Sequence, residues 1–239
     1  FMPVPVPDAS VTYLDEEGFK QASRALIEAY RKRGIVIANV RNYDGLDELS
    51  AREDIGFISE AWKALALKGF CSAKNDELID NANVRLYPTA REDEKVCLLN
   101  FNPEPKTFPA FIPTGARNRQ YNIMFNILAH EAGHCGGVRT YDYSRRRMYL
   151  SDANFFMRRN HGEIEADLTA FHLTLQITGD WKTVFDMVKM RVWEGFKAPY
   201  PTHITALHSI VHFEEMLKNP PKRVAPEDVD VAAAIEMAD

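Results

Sequence analysis

The segment His130-Glu131-Ala132-Gly133-His134 closes the apolar run Tyr121-Asn122-Ile123-Met124-Phe125-Asn126-Ile127-Leu128-Ala129, and it constrains this chain more than any other feature. Histidines four positions apart lie one turn apart on one face of a helix, so both imidazoles can grip one metal ion while Glu131 stands beside it. Each residue type has a chemical reason. Imidazole nitrogens suit Zn²⁺, a catalytic site needs a third ligand plus an open position for water, and a carboxylate must take that water's proton. The pattern therefore predicts a helix bearing the site of a zinc hydrolase. Such a pentapeptide arises by accident in roughly one chain of this length per hundred, so a second signal is needed.

That signal is His161-Gly162-Glu163-Ile164-Glu165-Ala166-Asp167-Leu168-Thr169-Ala170-Phe171. Read as a helix, it places Glu163, Ala166, Asp167 and Ala170 on one stripe. The two alanines let a second helix pack close to the first. Glu163 can then reach the metal as third ligand, and Asp167, one turn on, can accept the free N–H of a ligating histidine. Glu165 projects roughly opposite, on a face shared with Leu168, Thr169 and His172, and lacks a carboxylate one turn later, so Glu163 is the preferred ligand.

Through these two motifs the chain resembles the gluzincins, metallopeptidases in which a His-Glu-x-x-His helix is completed by a glutamate on a following helix. The form Glu-x-x-Ala-Asp is similar to the second-helix signature of the integral-membrane CAAX-type and HtpX-type peptidases. It is also close to the ImmA/IrrE-type and phage-exclusion Lit-type peptidases, which are soluble or loosely membrane-associated. The resemblance spans His130 to Asp167, a minority of the chain. It implies a zinc-dependent peptidase acting on a peptide or protein substrate, with His130, His134 and Glu163 as ligands, Glu131 as general base and Asp167 behind the ligands. The metzincin pattern is met through Gly137 but fails at Thr140, where a third histidine should stand; Gly136-Gly137 reads as the end of the helix.

Further along, Tyr200-Pro201-Thr202-His203 before an apolar helix resembles the segment that contributes a site wall in HtpX-like peptidases. The resemblance makes His203 a candidate to stabilise the tetrahedral oxyanion, against a capping or surface histidine. Tyr141 and Tyr143 are weaker candidates for the same task. His208 and His212 are four apart but lack an acidic partner in the right pattern, so packing or exposure is expected.

With 239 residues, 46% hydrophobic and 26% charged, the chain can bury a full core, and no apolar stretch is long enough to span a bilayer. That absence separates it from the membrane-embedded relatives. The formal net charge of −5 and the short, isolated run Arg145-Arg146-Arg147 give no footprint for nucleic acid. Three cysteines, Cys71, Cys97 and Cys135, argue against a disulfide framework and favour a reducing compartment, with Cys135 read as a packed thiol. The expected location is cytoplasmic. The chain opens Phe1-Met2 with no charged segment before an apolar core, which leaves a cloning remnant or an already removed leader, and hence export, as alternatives.

Pro3, Pro5 and Pro7 suggest an extended arm over about 1–14. A helix is predicted from about Glu16 to Arg33, closed by Gly34, then a strand from Ile35 to Val40 and a helix near Ile55 to Leu67, with Gly69 just past its end. Asn83 to Tyr87 and Lys95 to Phe101 read as strands joined by a charged turn around Arg91 to Glu94. Val96 to Phe101 is either the edge strand that holds an extended substrate or an ordinary core strand. Helical spacing then marks Trp181 to Phe196, His203 to Lys218 and Ala225 to Met237. The expected architecture is one α+β, zincin-like domain over 15–239, a small twisted sheet in 15–119 packed against the metal helix and a mostly helical half in 120–239. Two other readings share the motifs: a zinc hydrolase of a non-peptide substrate, and a non-catalytic regulatory or binding protein with a zincin fold. Retention of Glu131 beside intact ligands weighs against the latter.

Overall fold

The computed structural model describes residues 11–39, 83–88, 95–101, 117–136, 152–197 and 205–238. The expected helix near Ile55 to Leu67, Cys71, the turn around Arg91 to Glu94, Tyr141, Tyr143, the Arg145 to Arg147 run and His203 lie outside the described residues.

Helix α1 spans Glu16–Arg31 and starts where Asp15 accepts a hydrogen bond from the Gly18 backbone N–H at 2.7 Å. Its apolar positions Phe19, Ala22, Leu26 and Tyr30 are all buried, as a stripe at helical spacing requires. The helix ends two residues earlier than expected, and Gly34 at φ 77° turns the chain into the first strand. That strand, β1, covers Ile35–Asn39; β2 covers Asn83–Pro88 and β3 Lys95–Asn100. β3 lies in the middle, parallel to β1 and antiparallel to β2. This decides between the two readings of Val96 to Phe101. Both sides of β3 are hydrogen-bonded and Val96, Cys97 and Leu99 are buried, so it is a core strand and offers no free edge to a substrate.

Further helices carry most of the rest of the described residues. α2 is Gln120–Gly136, entered through a short 3₁₀ turn at Arg117–Arg119; α3 is Asp152–Thr178, α4 Trp181–Lys197 and α5 Ala206–Lys218. The segment expected as a helix from Ala225 is instead a 3₁₀ turn at Pro226–Asp228 followed by α6, Val231–Ala238. Asp230 accounts for the late start, since its carboxylate accepts from the Ala233 N–H at 2.9 Å. The end of the N-terminal arm is fastened to the helices: Thr12 donates its N–H to the Thr178 carbonyl and Leu14 donates to the Asn122 side chain.

α2 is buried on nearly every side because it separates two apolar cores. Met124, Phe125, Leu128 and Ala132 face α1, the sheet and α6, whereas Ile123 joins Leu168, Phe171, Trp181 and Val188 of α3 and α4. α2 and α3 approach closely at Gly133, where an added Cβ would lie 2.9 Å from the Ala166 Cα. Only glycine fits there, and Ala166 supplies the small facing residue that the stripe led one to expect.

One expectation is overturned at this point. Cys135, read as a packed thiol, is joined to Cys97 in a disulfide that ties the central strand to α2. The odd cysteine count concealed it because Cys71 is the residue left over, while the core brings the two Cα atoms to 6.0 Å. Closing a loop across a sequence separation of 38 stabilises the fold by about 4 kcal/mol in the chain-entropy account.

Candidate metal centre

The last two turns of α2 present His130 and His134 on the face that meets α3. Their Nε2 atoms are 3.2 Å apart. Glu163 enters from α3, its Oε2 3.4 Å from His130 Nε2 and 3.7 Å from His134 Nε2. Each of the three side chains thus directs one ligand atom to a common point, all within 4.8 Å of one another. Among the described residues no second group of His, Cys, Asp and Glu gathers in this way. Two nitrogens bound to a tetrahedral zinc at 2.0–2.1 Å stand roughly 3.3 Å apart, so the histidine spacing and the N, N, O donor set fit that ion.

Asp167, one turn beyond Glu163, stands behind the first histidine. Its Oδ1 is 2.9 Å from His130 Nδ1, so a proton on Nδ1 is held by the carboxylate and the Nε2 lone pair is left for the metal side. Two further groups converge on Asp167. Arg191 of α4 donates through Nε and Nη2 to both carboxylate oxygens at 2.8–3.2 Å, and the Thr205 hydroxyl, just before α5, donates to Oδ2 at 2.8 Å. Elements α2, α3, α4 and the start of α5 are thereby joined at one buried carboxylate.

The electrostatics follow from burial and these partners. Burial opposes ionisation of Asp167, but the Arg191 guanidinium and the His130 contact outweigh it and hold the carboxyl well below its usual range. Burial likewise disfavours the charged form of His130. The Asp167 hydrogen bond and charge, with help from Glu163, overcome this and raise its pKa to about 10 when no metal competes. For His134 no carboxylate plays the part of Asp167 among the described residues, and burial pushes it down to about 4. Glu131, between the two histidines in sequence, is buried and is raised to about 7, with the Glu163 charge adding to the effect.

Of the residues singled out in the sequence, His130, His134, Glu163 and Asp167 come together. Glu165 is also buried but does not belong to the converging group. Arg191 and Thr205 were missed. Arg191 had a signal: it continues the stripe Val184, Met187, Val188 on α4, so a charged residue occupies an apolar register position. Thr205 had none. Compared with family models, characterised proteins and solved structures, the chain matches none.

Proposed function

We propose that this chain is a zinc-dependent metallopeptidase of the gluzincin type, built as one zincin-like domain over 15–239, with His130, His134 and Glu163 holding Zn²⁺ and Glu131 as general base. The observation that carries the reading is the convergence of two imidazole nitrogens and one carboxylate oxygen in front of a buried Asp167. Zinc, when bound, supplies Lewis-acid chemistry, making water nucleophilic near neutral pH and polarising a carbonyl. Glu131 takes the proton of the attacking water and passes it to the departing amine. A carboxyl brought near pH 7 by burial is suited to both halves of that transfer.

A peptide or protein is the proposed substrate. With β3 enclosed, the strands whose outer sides are unpaired among the described residues are β1 and β2, and an extended substrate would add to one of them. No described helix is long and apolar enough to cross a membrane. The Cys97–Cys135 disulfide favours an oxidising compartment over the cytoplasm expected from cysteine count.

The test is cleavage of an unfolded protein and of a mixed peptide library by the zinc-loaded chain, with products read by mass spectrometry. Cleavage should stop on chelation, return with Zn²⁺, and fall by roughly 10²- to 10⁴-fold in Glu131→Gln while zinc stays bound. No cleavage of any peptide by fully loaded protein would move the reading to a non-peptide substrate. Loss of zinc along with activity in Glu131→Gln would remove the general-base role.

A further inference from the structure

We infer that Arg191 is a positioning residue for the metal centre, its guanidinium fork fixing the Asp167 carboxylate that in turn aims His130 Nε2 at the metal. This rests on the zinc reading above and assigns a task to a residue that neither motif contains. The geometry is specific. Arg191 Nε lies 3.0 Å from Asp167 Oδ2 and Nη2 lies 2.8 Å from Oδ1, so both oxygens are pinned and the carboxylate cannot rotate about its own axis. The Thr205 hydroxyl also holds Oδ2, at 2.8 Å. What remains for His130 is a single acceptor in a fixed place, 2.9 Å from Nδ1.

Burial makes this arrangement informative. Arg191 is only 7% exposed, in a stripe otherwise made of Val184, Met187 and Val188, and a buried charge in such a place is expensive unless well paired. An aliphatic residue would serve packing alone at least as well. The same Nη2 stands 3.7 Å from Glu163 Oε2 and 3.3 Å from His130 Nε2. Both are longer than the 2.8 and 3.0 Å bonds to Asp167, so the fork acts through that carboxylate, and lysine, a single point donor, reproduces the charge without the fork.

The experiment is a double-mutant cycle on Zn²⁺ affinity, with the metal alone as probe and a chromogenic chelator as competitor. Wild type, Arg191→Met, Arg191→Lys, Asp167→Asn and the double variant Asp167→Asn/Arg191→Met are compared, with folding checked by circular dichroism. Arg191→Met and Asp167→Asn should each weaken zinc by about 10- to 100-fold, the range for outer partners of a ligand. The double variant should be no weaker than Asp167→Asn alone, because Arg191 acts through Asp167. Arg191→Lys should recover part of the loss. Additive losses in the double variant, or wild-type affinity in folded Arg191→Met, would overturn the inference. Should Arg191→Met fail to fold for want of a partner to Asp167, Arg191→Lys decides, and wild-type affinity there overturns the inference equally. Failure of the wild-type chain to bind zinc would instead strike the functional reading.

Discussion

At the N-terminal end of α2, Asn122 is fully engaged by its neighbours: Oδ1 accepts from the Leu14 N–H, and Nδ2 donates to the Thr12 carbonyl and to Asp180 Oδ2. Asp180 accepts in addition from the Thr183 N–H and hydroxyl, and the nearby Arg119 donates to Asp186 at 2.8 Å. At the C-terminal end, the same helix carries a second buried network with its own Arg–Asp pair, Arg191 and Asp167. Both networks satisfy buried polar groups, as a low-dielectric interior demands. They differ in where the acceptors point. In the first, donors and acceptors alternate and close on each other, which fastens the N-terminal arm and the start of α4. In the second, His130 Nε2, His134 Nε2 and Glu163 Oε2 converge within 4.8 Å of one another, and loss of the proton that His130 carries in the metal-free protein leaves three lone pairs facing one point. Like-facing lone pairs gain nothing from each other and gain much from a cation, which is why the second network reads as a site and the first as a fastening.

Removing the carboxylate that α3 brings to the second network should have the largest effect on zinc. Glu163→Ala should weaken zinc by more than the roughly 10- to 100-fold typical of an outer partner, while Glu165→Ala, measured in the same competition titration, leaves affinity nearly unchanged. The reverse order would mean that the phase of α3 at the site is wrong.

Next in size is the effect of pH. Because Asp167 and Glu163 raise His130 to about 10 in the metal-free protein, this histidine carries a proton throughout the neutral range and must release it to bind zinc. Zinc affinity should therefore rise by about tenfold per pH unit from pH 7 to 9, with about one proton released per ion. Calorimetry in buffers of different ionisation heat reads that proton directly. The folding side has the matching sign. A raised histidine stabilises the metal-free fold fully below its ordinary value near 6.5, and the contribution is lost as pH climbs through about 10. Zinc affinity that does not vary with pH would show that His130 is already neutral.

The smallest effect on the metal belongs to the other end of α2. Asn122→Ala leaves two buried partners, the Leu14 N–H and Asp180, each short of a hydrogen bond, and should cost about 1–3 kcal/mol of folding stability. Urea unfolding would show the lowered midpoint, and zinc titration of the folded variant would give the wild-type value. A large loss of zinc affinity would mean that the two networks are one.

What the sequence made legible was whatever depends on local periodicity. The spacing His130 to His134 and the stripe Glu163, Ala166, Asp167 are properties of single helices, and they appear in the structure as written. So do the buried face of α1 and the strands β2 and β3, each within a residue of its expected bounds. What was illegible depends on which elements meet. The stripe Val184, Met187, Val188 turns Arg191 inward on α4, but nothing in the chain indicates that α4 folds back onto α3 so that this arginine meets Asp167. Three cysteines allow three pairings, and only the placement of β3 against α2 selects Cys97 with Cys135. The same placement made β3 a central strand, because an apolar run reads alike at an edge and in the middle of a sheet. Asp230 was hidden in a different way: a cap outweighed the helical spacing that preceded it.

On the proposed function, the C-terminal end of α2 and the facing turn of α3 form a three-ligand zinc site. X-ray absorption at the zinc edge, on protein loaded with one equivalent of Zn²⁺, tests it most directly. Stoichiometric binding is expected, with a first shell of nitrogen and oxygen alone at about 2.0–2.1 Å, the outer scattering of two imidazoles and no sulfur near about 2.3 Å. Failure to bind zinc near neutral pH, or a shell containing sulfur, would contradict it.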